Sequence, residues 1–310
     1  MRVLVVGAGA VGGYFGGRLA EAGGDVTFLV RERRAAQLAA AGLAIRSGLG
    51  DALIRPNLTR AGEIREYYDI VLLSCKAYDL ESAMESFAPA VGPGTVILPV
   101  LNGMRHLELL DARFGAEKVL GGLCQIVATL DADGAILHMN DSHLIVFGER
   151  SGVRSQRVKA IATLMATATF KSRASETILH DMWEKWVFLA TLAGITCLMR
   201  ASLGDIAMAD GADSSLALFQ ECCQVAEHNG YSPGQKFVNR INGMLQSRDI
   251  SMTASMLRDI ERGGAVEVDQ VIGDLLRRAP QGMVQRSLLR IAHIHLKAYE
   301  IRRLRSQAPA

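Results

Sequence analysis

Six residues near the N-terminus, Gly7-Ala8-Gly9-Ala10-Val11-Gly12, restrict this chain more than any other stretch. They follow Arg2 to Val6, five residues with four branched aliphatics, which read as a buried strand. A helix-like stretch runs on to about Ala22, and the pattern predicts a second strand over Asp25 to Val30. Strand, glycine turn, helix and strand in this order form the unit that binds dinucleotides. Each glycine has its own reason. Gly7 permits the tight turn, Gly9 removes a side chain where pyrophosphate approaches the backbone, and Gly12 lets the helix lie close to the strands. Ala8, Ala10 and Val11 complete the turn. The helix that follows presents free N–H groups and a partial positive charge to phosphate. Gly13, Gly16 and Gly17 each weaken that helix by about 0.5–1 kcal/mol relative to alanine, a loss that points to close packing.

The end of the second strand separates the two common dinucleotides. An NAD site places Asp or Glu there for the ribose 2′-hydroxyl. This chain has Val30 and then Arg31, with Arg33 and Arg34 close behind. A guanidinium suits a 2′-phosphate through planar, charge-assisted hydrogen bonds, so NADP(H) is the expected cofactor. Glu32 lies one place further on and is read as opening the next helix.

At 310 residues the chain is long enough for two domains. With 34 basic and 32 acidic residues, its net charge of +2 makes no electrostatic case for nucleic acid or an acidic membrane. The five cysteines form no CxxC pair or metal spacing and read as small apolar residues in a reducing compartment. His138, His143, His180, His228, His293 and His295 contain no HExxH, and no metal is expected. The N-terminus itself reads as the first strand, so no signal peptide and a cytoplasmic location are expected. The longest apolar run, Trp186 to Met199, has fourteen residues, too few for a bilayer, and reads as a buried helix.

Further along, strands are expected at Leu43 to Ser47, Ala52 to Arg55, Asp69 to Ser74, Gly94 to Pro99 and Val119 to Val127. Helices fall between them: Glu32 to Ala41, one capped by Asp79 and reaching Phe87, and one before Val119. This alternation argues for a mostly parallel, doubly wound sheet, an α/β class. Ligands bind such sheets beyond the strand ends, where Lys76 and Asn102 stand. Asp133-Gly134 and Asn140-Asp141 read as turns around strands Ala135 to Met139 and His143 to Phe147, antiparallel strands closing the sheet. A helix over Arg154 to Ala168 and an edge strand over Phe170 to Arg173 follow. From about Glu176 only helices are expected: Ile178 to Leu198, Ser214 to Asn229, Pro233 to Gln246, Met252 to Arg262, Val266 to Arg278 and Val284 to Arg305. The boundaries are therefore 1–175 for a Rossmann-like domain and 176–310 for an all-helical one. In the latter, Lys185 either snorkels from its apolar helix or lines a cleft, and Glu267 is either a first-turn acid or a site residue.

The chain resembles the ketopantoate reductase (2-dehydropantoate 2-reductase) family. The likeness rests on Gly7 to Gly12, Cys75-Lys76-Ala77, Asn102-Gly103-Met104, Trp183-Glu184-Lys185, Ser255 to Ile260, Glu267-Val268-Asp269 and Gly273, in order along nearly the whole chain. The resemblance implies NADPH-dependent reduction of a 2-keto acid, as in pantothenate biosynthesis. It implies Lys185 as catalytic general acid in an interdomain cleft, and Glu267 as catalytic and in contact with substrate. Asn102 matches a residue near both cofactor and substrate, Ser255 one that hydrogen-bonds substrate, Lys76 a cleft lysine near the cofactor, and Arg31 the basic residue at the 2′-phosphate. Three positions depart from the family pattern: Leu189, Ala193 and Met252 stand where asparagine is usual. Buried hydrogen-bonding partners discriminate strongly for hydroxyls, so the substrate is expected to be less polar or bulkier than ketopantoate. A 2-hydroxyacid dehydrogenase for branched or aromatic acids, and a non-catalytic NADP-binding sensor, are the alternatives. The long C-terminal helices could also form a homodimer.

Overall fold

The computed structural model describes residues 1–283, 285 and 287–307, and it divides into two compact units. Residues 1–101 and 106–179 form the first, and residues 102–105 and 180–310 the second.

The first unit begins with β1 (Arg2–Val6), α1 (Ala10–Glu21), β2 (Asp25–Leu29), α2 (Glu32–Ala41), β3 (Leu43–Ser47), β4 (Ala52–Ile54), β5 (Asn57–Thr59) and β6 (Ile70–Leu73). It continues with α3 (Leu80–Phe87), β7 (Val96–Pro99), α4 (Arg105–Phe114), β8 (Gly121–Leu130), β9 (Ile136–Gly148), α5 (Gln156–Met165) and β10 (Lys171–Ala174). Five strands make an all-parallel sheet in the order β5-β2-β1-β6-β7. Val6 pairs with both Leu29 and Leu73, and Leu73 with Pro99, so the strand ends are level. Gly7, Val30 and Ser74 therefore leave the sheet along one edge. Strands β6 and β7 are buried along their whole length, as parallel strands covered on both faces are.

The remaining strands do not close that sheet; they form a second one. Its order is β10-β9-β3-β4, with β8 antiparallel to β9. Asn140-Asp141 is not a turn either, because β9 runs straight through it. The ladder shifts register between Ile126 and Ala128, and the Asn140 Oδ1 accepts a hydrogen bond from the Val127 N–H at 3.1 Å. A side chain thereby replaces the lost backbone partner, and the strand bulges instead of ending. The glycines of α1 show why two sheets are needed. A Cβ on Gly16 would lie 2.7 Å from Val5 Cγ2 in the first sheet. One on Gly13 would lie 2.6 Å from Ile136 Cδ1, and one on Gly17 2.7 Å from Leu43 Cδ2, both in the second. The helix is clamped between the sheets, at distances that only glycine permits.

The second unit is helical: α6 (Ile178–Met199), α7 (Leu203–Met208), α8 (Ala212–His228), α9 (Gln235–Gln246), α10 (Ser255–Glu261), α11 (Asp274–Arg277) and α12 (Leu288–Gln307). Helix α7 and strand β5 have no counterpart in the sequence reading. The expected start of the last helix at Val284 lies outside the described residues. Helix α10 begins three residues later than expected, because the Met252 carbonyl accepts the Leu203 N–H, closing a loop rather than opening a helix. Helix α6 has 22 residues and would be long and apolar enough to cross a membrane, but 67% of its most apolar window is buried inside the protein. Its two buried threonines are satisfied internally, Thr191 Oγ1 on the Val187 carbonyl at 2.8 Å and Thr196 Oγ1 on the Leu192 carbonyl at 2.7 Å. Glu221 closes the start of α12 by accepting from the Leu288 and Leu289 N–H groups at 2.9 and 2.8 Å, an acid where the helix dipole favours one.

Candidate active site

In the first unit the glycine turn is shaped by backbone. Gly7 has φ +91°, a conformation that side chains disfavour. Its N–H donates to the Leu29 carbonyl at 3.0 Å. Gly9 is the N-terminal cap of α1, supplies no side-chain cap, and has nothing within 4 Å of where a Cβ would stand. Protein packing thus does not require glycine there; the space is open. Gly12 is the opposite case, since a Cβ would overlap the Ser74 side chain and the Gly7 carbonyl. Ser74 Oγ donates to the Val6 carbonyl at 3.1 Å and braces the turn from β6, a role the sequence motif does not mark.

The three arginines after β2 have separate fates. Arg31 is 73% exposed, and its Nη2 donates to Asp79 Oδ1 at 2.5 Å. The hydrogen bond to Asp79, and then its charge, raise the Arg31 pKa. Asp79 therefore pairs with Arg31 and makes no side-chain cap for α3, contrary to the sequence expectation. Arg34 turns inward. Its Nε donates to the Ala8 carbonyl at 3.1 Å and its Nη1 to the Gly134 carbonyl at 3.0 Å, tying the glycine turn to the β8–β9 loop. Burial lowers its pKa. Arg33 is exposed on α2. Lys76 is half-buried just after β6, where its carbonyl accepts the Asp79 N–H at 2.9 Å.

In the second unit a pocket partly open to solvent is lined by Asn102, Ser255 and Glu267. Leu189, Leu192, Ala193, Ala254, Met256, Asp259 and Val271 complete the lining. Three of the residues singled out in the sequence thus meet, although Asn102 and Glu267 are far apart along the chain. Leu189 and Ala193 line the same pocket, so two of the three apolar departures fall where a ligand would feel them. Met252 does not line it, and its side chain is exposed. Lys185 is half-buried and stands one helical turn before Leu189, just outside the lining. Among the described residues its ammonium has no hydrogen bond or ion pair with the protein. Asp259 is a lining carboxylate that the sequence reading assigned no role. Its spacing of four from Ser255 on α10, one helical turn, was the available signal.

The pocket is framed by a wide turn. Asp269–Gly273 is π-helical and runs into α11, where the pattern predicts uninterrupted helix. The buried Trp186 Nε1 donates to the Val271 carbonyl at 2.8 Å, and Gln270 Nε2 to the Asn102 carbonyl at 3.0 Å. Single π turns of this kind are frequent at functional sites.

Two buried cysteines of the second unit carry strongly shifted thiols. Burial pushes the Cys197 thiol up to about 12 and the Cys222 thiol higher still, which keeps both protonated and inert. Among the described residues no group of three or more His, Cys, Asp or Glu could hold a metal ion.

Family models match both units. One described as Ketopantoate reductase PanE/ApbA matches residues 3–152, and its C-terminal counterpart matches residues 177–300. The chain belongs to the ketopantoate reductase family. It is an oxidoreductase of that family, with a parallel-sheet α/β N-terminal region and a helical C-terminal one. It is 40% identical over 301 residues to the Uncharacterized oxidoreductase YkpB of Bacillus subtilis, covering 97% of this chain and 99% of that one. It is 26% identical to a 2-dehydropantoate 2-reductase of Mesorhizobium japonicum, over 88% of this chain and 89% of the relative. Among solved structures, 2-dehydropantoate 2-reductase from Methylococcus capsulatus superposes with a TM-score of 0.86 at 28% identity, covering 98% of both chains. A D-mandelate dehydrogenase solved with NADH and anilino(oxo)acetate also reaches 0.86, at 17% identity over 98% of this chain and all of that one, a likeness of fold.

Proposed function

We propose that this protein reduces a 2-keto acid less polar than ketopantoate to its 2-hydroxy acid, using NADPH. The observation that carries the reading is the pocket in which Asn102, Ser255 and Glu267 converge among apolar Leu189, Leu192 and Ala193. Asn102, Ser255 and Glu267 suffice to orient a carboxylate and a ketone, Asp259 adds a second lining carboxylate, and the apolar Leu189, Leu192, Ala193, Ala254, Met256 and Val271 suit a branched or aromatic side chain.

The first unit has the features a dinucleotide requires. Gly7, Ala8, Gly9, Ala10, Val11 and Gly12 present an uncapped helix start with open space at Gly9. Arg31 is the residue for a 2′-phosphate. Its exposed pair with Asp79 contributes about 1 kcal/mol or less, so exchanging that carboxylate for a phosphate loses little. Lys76 and Asn102 are the further cofactor contacts.

When bound, the dinucleotide supplies hydride to the carbonyl carbon. Negative charge then develops on the carbonyl oxygen. An ammonium about 4 Å away contributes on the order of 4 kcal/mol at an effective dielectric of about 20. Lys185 has that ammonium, and its Nζ donates the proton that completes the hydroxyl. Glu267 orients Lys185 or accepts from the product hydroxyl, and Ser255 and Asn102 hold the carboxylate end.

The test is NADPH oxidation with ketopantoate, 2-ketoisovalerate, pyruvate and phenylglyoxylate. Fastest turnover with 2-ketoisovalerate or phenylglyoxylate is expected. Preference for ketopantoate would overturn the substrate assignment. Tight NADPH binding without oxidation on any of the four would favour a dinucleotide sensor.

A further inference from the structure

We infer that Gln270 is a positioning residue for keto-acid binding, acting through Asn102; this rests on the proposed reduction of a 2-keto acid. Gln270 is 6% exposed and sits in the π-helical turn Asp269–Gly273. Its Nε2 reaches the Asn102 carbonyl, 168 positions away in sequence, at 3.0 Å. The bond engages the backbone of Asn102 and leaves its side-chain amide out of the arrangement, while Asn102 itself lines the pocket.

The next residue is held against the same turn. Gly103 has φ +76°, and a Cβ there would stand 2.7 Å from the Gln270 carbonyl oxygen. The loop 102–103 is therefore seated on Gln270 from two sides, by a hydrogen bond and by a contact too close for any side chain. The turn has a second anchor. Val271, adjacent to Gln270, accepts the Trp186 indole N–H at 2.8 Å, and Trp186 directly follows Lys185. One π turn thus fixes the backbone that carries Asn102 and the helix that carries Lys185. Glu267 is four residues before Val271, whose N–H donates to the Glu267 carbonyl at 2.9 Å. Both contacts leave from consecutive residues of the π turn. Sites that bind small acids need their polar groups held to about half an ångström by neighbours of this kind.

Gln270→Met keeps the length and bulk of the side chain and removes the donor. It is expected to lower kcat/KM for the preferred keto acid about tenfold, the equivalent of one hydrogen bond, mostly through KM. NADPH affinity should fall less than keto-acid affinity does, because Asn102 is one of several cofactor contacts and the glycine turn, Arg31 and Lys76 are untouched. In an Asn102→Ala background the same change should have less than about a twofold further effect, because Gln270 acts through Asn102. Effects that multiply across the two sites, or a Gln270→Met enzyme equal to wild type, overturn the inference. If Gln270→Met does not fold, as judged by thermal melting, Gln270→Ala takes its place with the same expectations. Calorimetric binding of phenylglyoxylate and 2-ketoisovalerate gives a readout independent of turnover. A wild type that binds a keto acid without turnover overturns the proposed activity alone, and equal affinity in wild type and variant then overturns the role of Gln270. A wild type that binds neither acid overturns both.

Discussion

The two units prepare for a ligand by opposite means. In the first, the surface around Gly7 to Gly12 is backbone: a positive φ, an uncapped helix start, and glycines whose missing side chains are the point. In the second, the pocket is made of side chains from two helices, a π turn and three loops, and its backbone serves to hold them. Backbone surfaces suit what all dinucleotides share, and a single short motif describes them. Side-chain surfaces choose among related substrates, and each position of such a surface can change separately. The difference predicts where each unit breaks.

The largest effect is expected in the second unit. Lys185→Ala should lower turnover by about 10²–10⁴-fold while NADPH affinity changes less than about twofold, measured by steady-state rates and by fluorescence titration of the dinucleotide. A proportionate loss of both would erase the division between the units. In the first unit the glycines should fail in two ways. Gly9→Leu meets open space, so the fold should survive with a melting temperature near wild type, while NADPH affinity falls by about 100-fold or more through lost charge-assisted hydrogen bonds. Gly12→Leu meets Ser74 and Gly7, so it should unfold the unit before any binding is measured. Equal behaviour of the two would mean that packing and binding are not separable in this turn.

Smaller still is Arg31→Ala, expected to lower the NADPH-to-NADH preference about tenfold with the keto-acid KM unchanged. The smallest effect tests a side-chain cluster inside the first unit. The Tyr14 hydroxyl and His143 Nδ1 form a buried hydrogen bond of 2.8 Å, with His138 stacked on His143. Burial lowers the His143 pKa from 6.5, helped by the nearby His138, Arg18 and Lys171. A histidine with a lowered folded pKa is neutral in both states above 6.5. Its unfolded form then takes up the proton first as pH falls, so stability is lost from about pH 6.5 downward. Melting temperatures measured across that range should fall for wild type and fall less for His143→Gln, which keeps an acceptor for Tyr14.

Legibility follows the same division. The strand, glycine turn, helix and strand of residues 2–29 were readable because hydrophobic runs and glycine report local geometry directly. The second sheet was not, because the partners of β3 and β9 are chosen by packing around α1. Neither was the continuity of β9, since Asn140 and Asp141 carry a turn signal that one side-chain hydrogen bond to Val127 overrides. Asn102, Ser255 and Glu267 were marked by resemblance and are found around one pocket; Asp259 carried only its one-turn spacing from Ser255, and Gln270 needed three-dimensional neighbours to stand out.

By itself the sequence determined the α/β class, the family and the glycine turn, because these rest on local periodicity and on residues that lack a Cβ. It also singled out Leu189, Ala193 and Met252 as departures from the family pattern. Only the tertiary structure decided that the pocket contains Leu189 and Ala193 and not Met252, that Asp79 holds Arg31, and that a π turn carries Gln270 to Asn102. Each of these is a contact between residues distant in the chain, and side-chain identity alone does not encode distance.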